Sequence, residues 1–154
     1  MDKLILIVDD NESVRKLLES TLKKWAENNS VNIVTSENAD QALVIMDRNS
    51  SSINVLLTDQ KMPSKSGLEL IKTVSEKYPD AVSILMTGYS DFAELEAIID
   101  AGLFAFIKKP WNTEKMLITV DRALKFAELK YNSREQDKLI SEDLSIASEF
   151  QKYF

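Results

Sequence analysis

Short apolar runs and longer stretches of helical periodicity alternate along the chain. "KLILIV" (3–8), "INVLLTD" (53–59) and "AVSILMT" (81–87) are near-continuous apolar runs bounded by polar residues, the pattern of strands buried on both faces. "VNIVTS" (31–36) is shorter and more polar, as an edge strand would be, and "LFAFIK" (103–108) is a further strand. Between these runs the apolar residues fall at helical spacing. Residues 12–27 place Val14, Leu17, Leu18, Leu22 and Trp25 on one stripe. Further helices are predicted over 38–49, over 67–78 with Pro79 as its stop, over 91–101 with Gly102 as a C-cap, and over 113–131. Strict alternation of strand and helix predicts a doubly wound α/β fold: a parallel sheet covered by helices on both faces. One domain is expected over 1–125 and a helical extension over 126–154, since the chain from Lys130 onward has neither glycine nor proline.

Composition narrows the chemistry. The 154 residues are 44% hydrophobic and 29% charged, ordinary for a folded domain with some extra chain. Nineteen Lys and Arg stand against 25 Asp and Glu, a formal net charge of −6. That balance speaks against direct nucleic-acid binding. The absence of cysteine and histidine removes disulfides, thiolate or imidazole metal ligands, and histidine general bases. No apolar run approaches the ~20 residues of a membrane span. The start, "MDKLILIVDD", ends in two acids where a signal peptide needs small residues, so it reads as a first strand of a cytoplasmic protein.

In a doubly wound sheet, ligands bind beyond the carboxyl ends of the strands. The first strand ends in Asp9 and Asp10, the third in Asp59, the fourth in Thr87 followed by Gly88, and the fifth runs into Lys109–Pro110. Taken singly, each has a plain structural explanation: a helix cap, a strand-end hydroxyl, a surface lysine. Together they bring three acids, a hydroxyl and an amine to one edge. Three close carboxylates repel one another unless a cation neutralises them. A donor set of oxygens alone suits a hard ion, Mg²⁺ or Mn²⁺. The amine of Lys109, the hydroxyl of Thr87 and the backbone N–H at Gly88 suit the oxygens of a phosphoryl group, and Asp59 is the natural nucleophile for an in-line transfer.

"ILIVDDNESVR", "VLLTDQKMPSKSGLEL", "ILMTGYSD" and "AFIKKPW" resemble the signature blocks of response-regulator receiver domains of two-component signalling. The likeness covers about residues 3–125. It implies a flavodoxin-like five-stranded parallel sheet of order 2-1-3-4-5. It implies Asp59 as phosphoacceptor for a sensor histidine kinase or phosphotransfer protein, and Mg²⁺ held by Asp9, Asp10, Asp59 and the backbone carbonyl of Lys61. It further implies Thr87 and Lys109 as phosphoryl contacts, a cis Lys109–Pro110 peptide, and Thr87 with Phe106 as a switch pair. Phe106 lacks a hydroxyl, so that switch would act by packing; the plain alternative is a core residue. Lys61 and Tyr89, expected at the mouth of the site, would slow attack by water on the phosphoryl group. Such a chain is no enzyme beyond its own phosphoryl transfer and hydrolysis. A haloacid-dehalogenase-type phosphatase is also doubly wound with an Asp nucleophile, but it needs Asp-x-Asp after the first strand, and Asn11 stands at the second position. The competing reading is a receiver-like dimerisation module that works without phosphorylation.

"DQKMP" and "TGYSD…KKPW", including Trp111, resemble receivers that carry enzymatic or transcriptional output domains. Packing against the last helix is the plain role for Trp111. In the extension, Ile140, Leu144, Ala147, Gln151 and Phe154 follow 4-3-4-3 spacing, a short coiled-coil seam. Leu117, Val120, Leu124, Ala127 and Tyr131 form an earlier stretch of the same kind, separated from it by the polar "NSREQDK". A homodimer through this helix is expected, with a bend near 132–135; the rival arrangement packs the extension back on its own domain. "EDLSIASEFQKYF" weakly resembles the linker before serine phosphatase domains of the sigma-factor-regulator type. The apolar "FQKYF" at the end fits a piece of a longer chain. A cyclic-diguanylate enzyme or a stand-alone regulator are the alternatives.

Overall fold

In the computed structural model, residues 2–88 and 102–151 are described, with side chains of the last helix described through Asp137. Five strands, β1 (Lys3–Val8), β2 (Val31–Ser36), β3 (Ile53–Asp59), β4 (Val82–Thr87) and β5 (Leu103–Lys108), pair in parallel in the order β2-β1-β3-β4-β5. The helices are α1 (Glu12–Asn28), α2 (Ala39–Arg48), α3 (Gly67–Lys77) and α4 (Thr113–Gln151). This is the flavodoxin-like arrangement with a C-terminal helix that the sequence implied. The helix predicted over 91–101 lies outside the described residues.

Alternation along the strands builds two cores, one on each side of the sheet. Ile5 and Ile7 of β1 face Leu18, Leu22 and Ala26 of α1 together with Met116, Val120, Ala123, Leu124 and Ala127 of α4. Leu6 and Val8 face Ala39, Ala42 and Met46 of α2 and Leu70, Ile71 and Val74 of α3. Every residue of β3 and β4 is buried, which is why these strands read as unbroken apolar runs rather than alternating ones. β2, at the edge, keeps Asn32 exposed.

Polar residues cap the helices. Asn11, Asn38 and Ser66 accept the N–H groups of Val14, Gln41 and Glu69, and Asn112 Oδ1 accepts that of Lys115. Gly102 sits at φ 91°, a conformation costly for any residue with a side chain. Trp25 of α1 donates its indole N–H to Asp121 of α4 at 3.1 Å, tying the two helices on one face together.

α4 runs without interruption past 131 and into the extension, as the chain without glycine or proline predicts. Leu117, Val120, Leu124, Ala127 and Tyr131, read as an early coil segment, instead pack on the domain's own core. Residues 132–137 are exposed at every position. The helix continues through 132–135, where a bend was expected, to Gln151.

Candidate functional site

Register places the site. Val8 pairs with Thr58, Asp59 with Met86, and Thr87 with Lys108. The ladder continues one step beyond the strands: Asp9 N–H donates to Ser36 O, Gln60 N–H to Met86 O, and Lys109 N–H to Thr87 O, at 2.9 to 3.1 Å. Asp9, Asp59, Thr87 and Lys109 therefore stand in a row across neighbouring strand ends. The row is an outcome of parallel pairing rather than of any local sequence feature.

The Lys109 ammonium bridges two of the acids, 3.0 Å from Asp9 Oδ2 and 2.9 Å from Asp59 Oδ1. Asp9 is 1% exposed and Asp59 is also buried, so the pairing matters: an unpartnered buried carboxylate is costly. Asp10 is exposed and adds a third carboxylate oxygen, with all three ligand atoms within 4.8 Å of one another. Burial pushes the Asp59 carboxyl up from its ordinary range, and the nearby Asp9 charge adds to this; the hydrogen bond and charge of Lys109 and the Gln60 N–H oppose the rise without cancelling it. For Lys109, burial acts to lower the pKa, but the hydrogen bonds and charges of Asp59 and Asp9 win and raise it. The lysine is thus held charged between the two acids.

These residues fit a hard divalent ion. The donors are carboxylate oxygens, and the 4.8 Å spread is close to the ~4.2 Å across which an octahedral ion with bonds near 2.1 Å holds opposite ligands. Thr87 is buried, its hydroxyl donating to Gly88 O at 3.3 Å. A Cβ built at Gly88 would meet nothing within 4 Å, so an approaching group has open space there and packing does not itself demand glycine. Lys61 is exposed and lines a cleft with Asp10, Met62 and Pro63. Tyr89 lies outside the described residues. Phe106 is 44% exposed and so is not the core residue of the plain alternative. Trp111 packs against the α1–α4 core, as its plain reading had it. The Lys109–Pro110 peptide is cis.

Two contributors escaped the sequence reading. Arg15 donates from Nη1 to the backbone carbonyl of Asp9 at 2.7 Å, bracing the turn that carries the acidic pair. Its place in "DDNESVR", one helical turn past the capping Asn11, is the only local signal for it. Gln60, next to Asp59, is buried and ties down the following loop.

Residues 5–121 match the response regulator receiver domain family. The chain is 32% identical over 121 residues to the hydrogenase transcriptional regulatory protein HoxA of Cupriavidus necator, covering 78% of this chain and 24% of that protein. It is 30% identical over 121 residues to a cyclic di-GMP phosphodiesterase of Thermotoga maritima, covering 79% and 31%. A response regulator receiver domain protein from Clostridium thermocellum superposes with a TM-score of 0.74 at 25% identity, over 82% of this chain and 98% of that one. The chain spans a quarter to a third of the length of these curated relatives. No helix among the described residues is long and apolar enough to cross a membrane. With the sheet order, the row of strand-end residues and the match over 5–121 in agreement, the chain belongs to the response regulator receiver domain family of two-component signalling.

Proposed function

We propose that this chain is a phosphorylation-dependent switch in which Asp59 accepts a phosphoryl group from a phosphohistidine of a sensor histidine kinase or phosphotransfer protein. The observation that carries the reading is the Lys109 ammonium seated between Asp9 and Asp59, with Asp10 within reach of both acids. In the transfer, an Asp59 oxygen forms the new O–P bond while the N–P bond of the donor breaks and its electron pair leaves with the imidazole. Lys109 is placed to pair with a phosphoryl oxygen as it arrives, and the Thr87 hydroxyl and Gly88 N–H supply donors to the others. Asp9, Asp10, Asp59 and the Lys61 carbonyl would hold Mg²⁺ or Mn²⁺, which supplies neutralisation of the gathered negative charge. Phe106, exposed on β5, is the side chain that would follow Thr87 inward and change the face it stands on.

The readout would pass along α4 to an output domain. The names of the relatives, a transcriptional regulator and a phosphodiesterase, support a regulatory output of that kind. The extension's sequence favours a serine phosphatase. The acidic balance supports a chain that does not itself contact nucleic acid.

Incubation with acetyl phosphate and Mg²⁺ should add one phosphoryl group, read by intact mass. The addition should disappear in Asp59→Asn and on chelation of the metal. Equal labelling of Asp59→Asn would overturn the assignment. An unlabelled wild type that still self-associates would favour the interaction module that works without phosphorylation.

A further inference from the structure

We infer that Gln60 is a positioning residue for the metal-binding side of the site: it closes the loop of residues 61–66 at its base and so holds the Lys61 backbone beside Asp10. The inference rests on the metal reading proposed above. Gln60 directly follows the nucleophile and is 6% exposed. Its N–H is locked to β4 through Met86 O at 3.1 Å. Its carbonyl accepts the Gly67 N–H at 3.0 Å, and its side-chain Oε1 accepts the Leu68 N–H at 2.9 Å. Those two N–H groups belong to the first turn of α3, where a helix has no internal acceptor for them. One residue thus anchors the chain seven and eight positions downstream.

The loop needs such an anchor. It has no helix or strand of its own, and Ser64 within it sits at φ 72°, a region that residues with side chains rarely adopt. At its far end Gly67 lies so close to the strand that a Cβ would collide with the Asp59 carbonyl oxygen and the Leu85 side chain. At its near end Lys61 shares one cleft with Asp10 and Gln60. An apolar side chain at position 60 would satisfy the burial equally well. What the carboxamide adds is an acceptor aimed at the start of α3, and with it a fixed path for residues 61–66. Partners that orient a metal's ligands typically change its affinity by tenfold or more when removed.

The test uses the whole chain, with Mn²⁺ binding followed by the loss of the free-ion paramagnetic resonance signal. Gln60→Met keeps the volume and removes the acceptor; Gln60→Glu keeps the acceptor. Gln60→Met is expected to weaken Mn²⁺ binding roughly tenfold and to speed hydrogen exchange at the Leu68 amide in metal-free protein. Gln60→Glu, which keeps the acceptor but adds a charge beside the acids, is expected to restore the slow Leu68 exchange and to bind Mn²⁺ no more weakly than wild type. If Gln60→Met does not fold, Gln60→Asn, too short to reach Leu68, takes its place with the same expectation. A folded variant with faster Leu68 exchange and unchanged Mn²⁺ affinity shows a merely structural role and overturns the inference, as does equal weakening by Met and Glu. A wild type that binds no Mn²⁺, or binds it as well after Asp10→Asn, instead overturns the metal reading beneath it.

Discussion

Asp59 is a carboxylate that its surroundings partly reject, and this has a measurable consequence for stability. Burial raises its pKa above the ordinary carboxylate value, so the folded state binds its proton more tightly than the unfolded chain does. The stabilisation from its protonated form is full below about 3.8 and is lost as pH rises through the folded-state value. At neutral pH the metal-free protein therefore carries a charge it would be more stable without. Asp59→Asn is expected to raise the thermal midpoint, by about 2–4 °C for each 1 kcal/mol of charge burial relieved in a chain of this size. The gain should shrink as pH falls toward the acid range and also in saturating Mg²⁺, where the wild-type acids are neutralised. A variant no more stable than wild type at neutral pH would mean that Lys109 fully compensates the charge. At this scale the sequence was most legible where residue type restricts chemistry. Asp9, Asp10, Asp59, Thr87 and Lys109 were all singled out, because acids, a hydroxyl and an amine fall together at several strand ends, although each alone has a plain structural use. Arg15 and Gln60 were not, since each reaches, by a side-chain hydrogen bond, backbone six or eight residues away, and apart from the place of Arg15 after the capping Asn11 their neighbours give little sign of such a bond.

Elements set the precision with which those residues meet. Strand positions were readable from apolar runs, and the edge position of β2 from its polarity. The register was not readable, because any of several parallel pairings would bury the same runs; the ladder contacts at Asp9, Gln60 and Lys109 settle it. The β3–α3 connection shows how tight the result is. Gly67 begins α3 against the Asp59 backbone, and substitution by alanine forces a Cβ into the Asp59 carbonyl oxygen. Gly67→Ala is expected to cost about 1–3 kcal/mol, the usual range for overpacking, measured by denaturant unfolding. It should also slow labelling by acetyl phosphate, since the displaced atom belongs to Asp59, the proposed phosphoacceptor. Loss of stability with unchanged labelling would show that the helix, not the strand end, yields to the added methyl group. From the sequence this glycine was only the first residue of the helix predicted over 67–78; its close approach exists only once α3 lies on β3.

The whole molecule is organised around α4. The helix begins four residues after Lys109, crosses the sheet with its apolar side on the α1 core, and continues beyond the far end of the domain. Thirty-nine residues at 1.5 Å each make a rod of about 58 Å, of which about half lies against the body. Lys3 pairs with Glu128 at 3.0 Å, Lys130 donates to Pro79 O at 3.3 Å, and Arg134 reaches Asp80 at 3.4 Å. These contacts fix the helix at the sheet end opposite the row of Asp9, Asp59, Thr87 and Lys109, so a change at Lys109 and a partner on the extension would sit at the two ends of one element. The portion past the body has exposed positions throughout 132–137, and a solitary helix of that length is marginal in water. Its apolar positions, Ile140, Leu144, Ala147 and Phe154, fall in a seam too narrow to fold alone but suited to a parallel copy. Ending the chain at Lys130 would remove Tyr131 from the core and Arg134 from Asp80, confounding the seam with the fold. Charging the seam avoids this. Wild type is expected to sediment as a dimer at tens of micromolar, and Ile140→Lys with Leu144→Lys as a monomer with an unchanged unfolding midpoint for the body. Two monomers would end the dimeric coil, and two dimers would move the interface from the extension to the body's own surface.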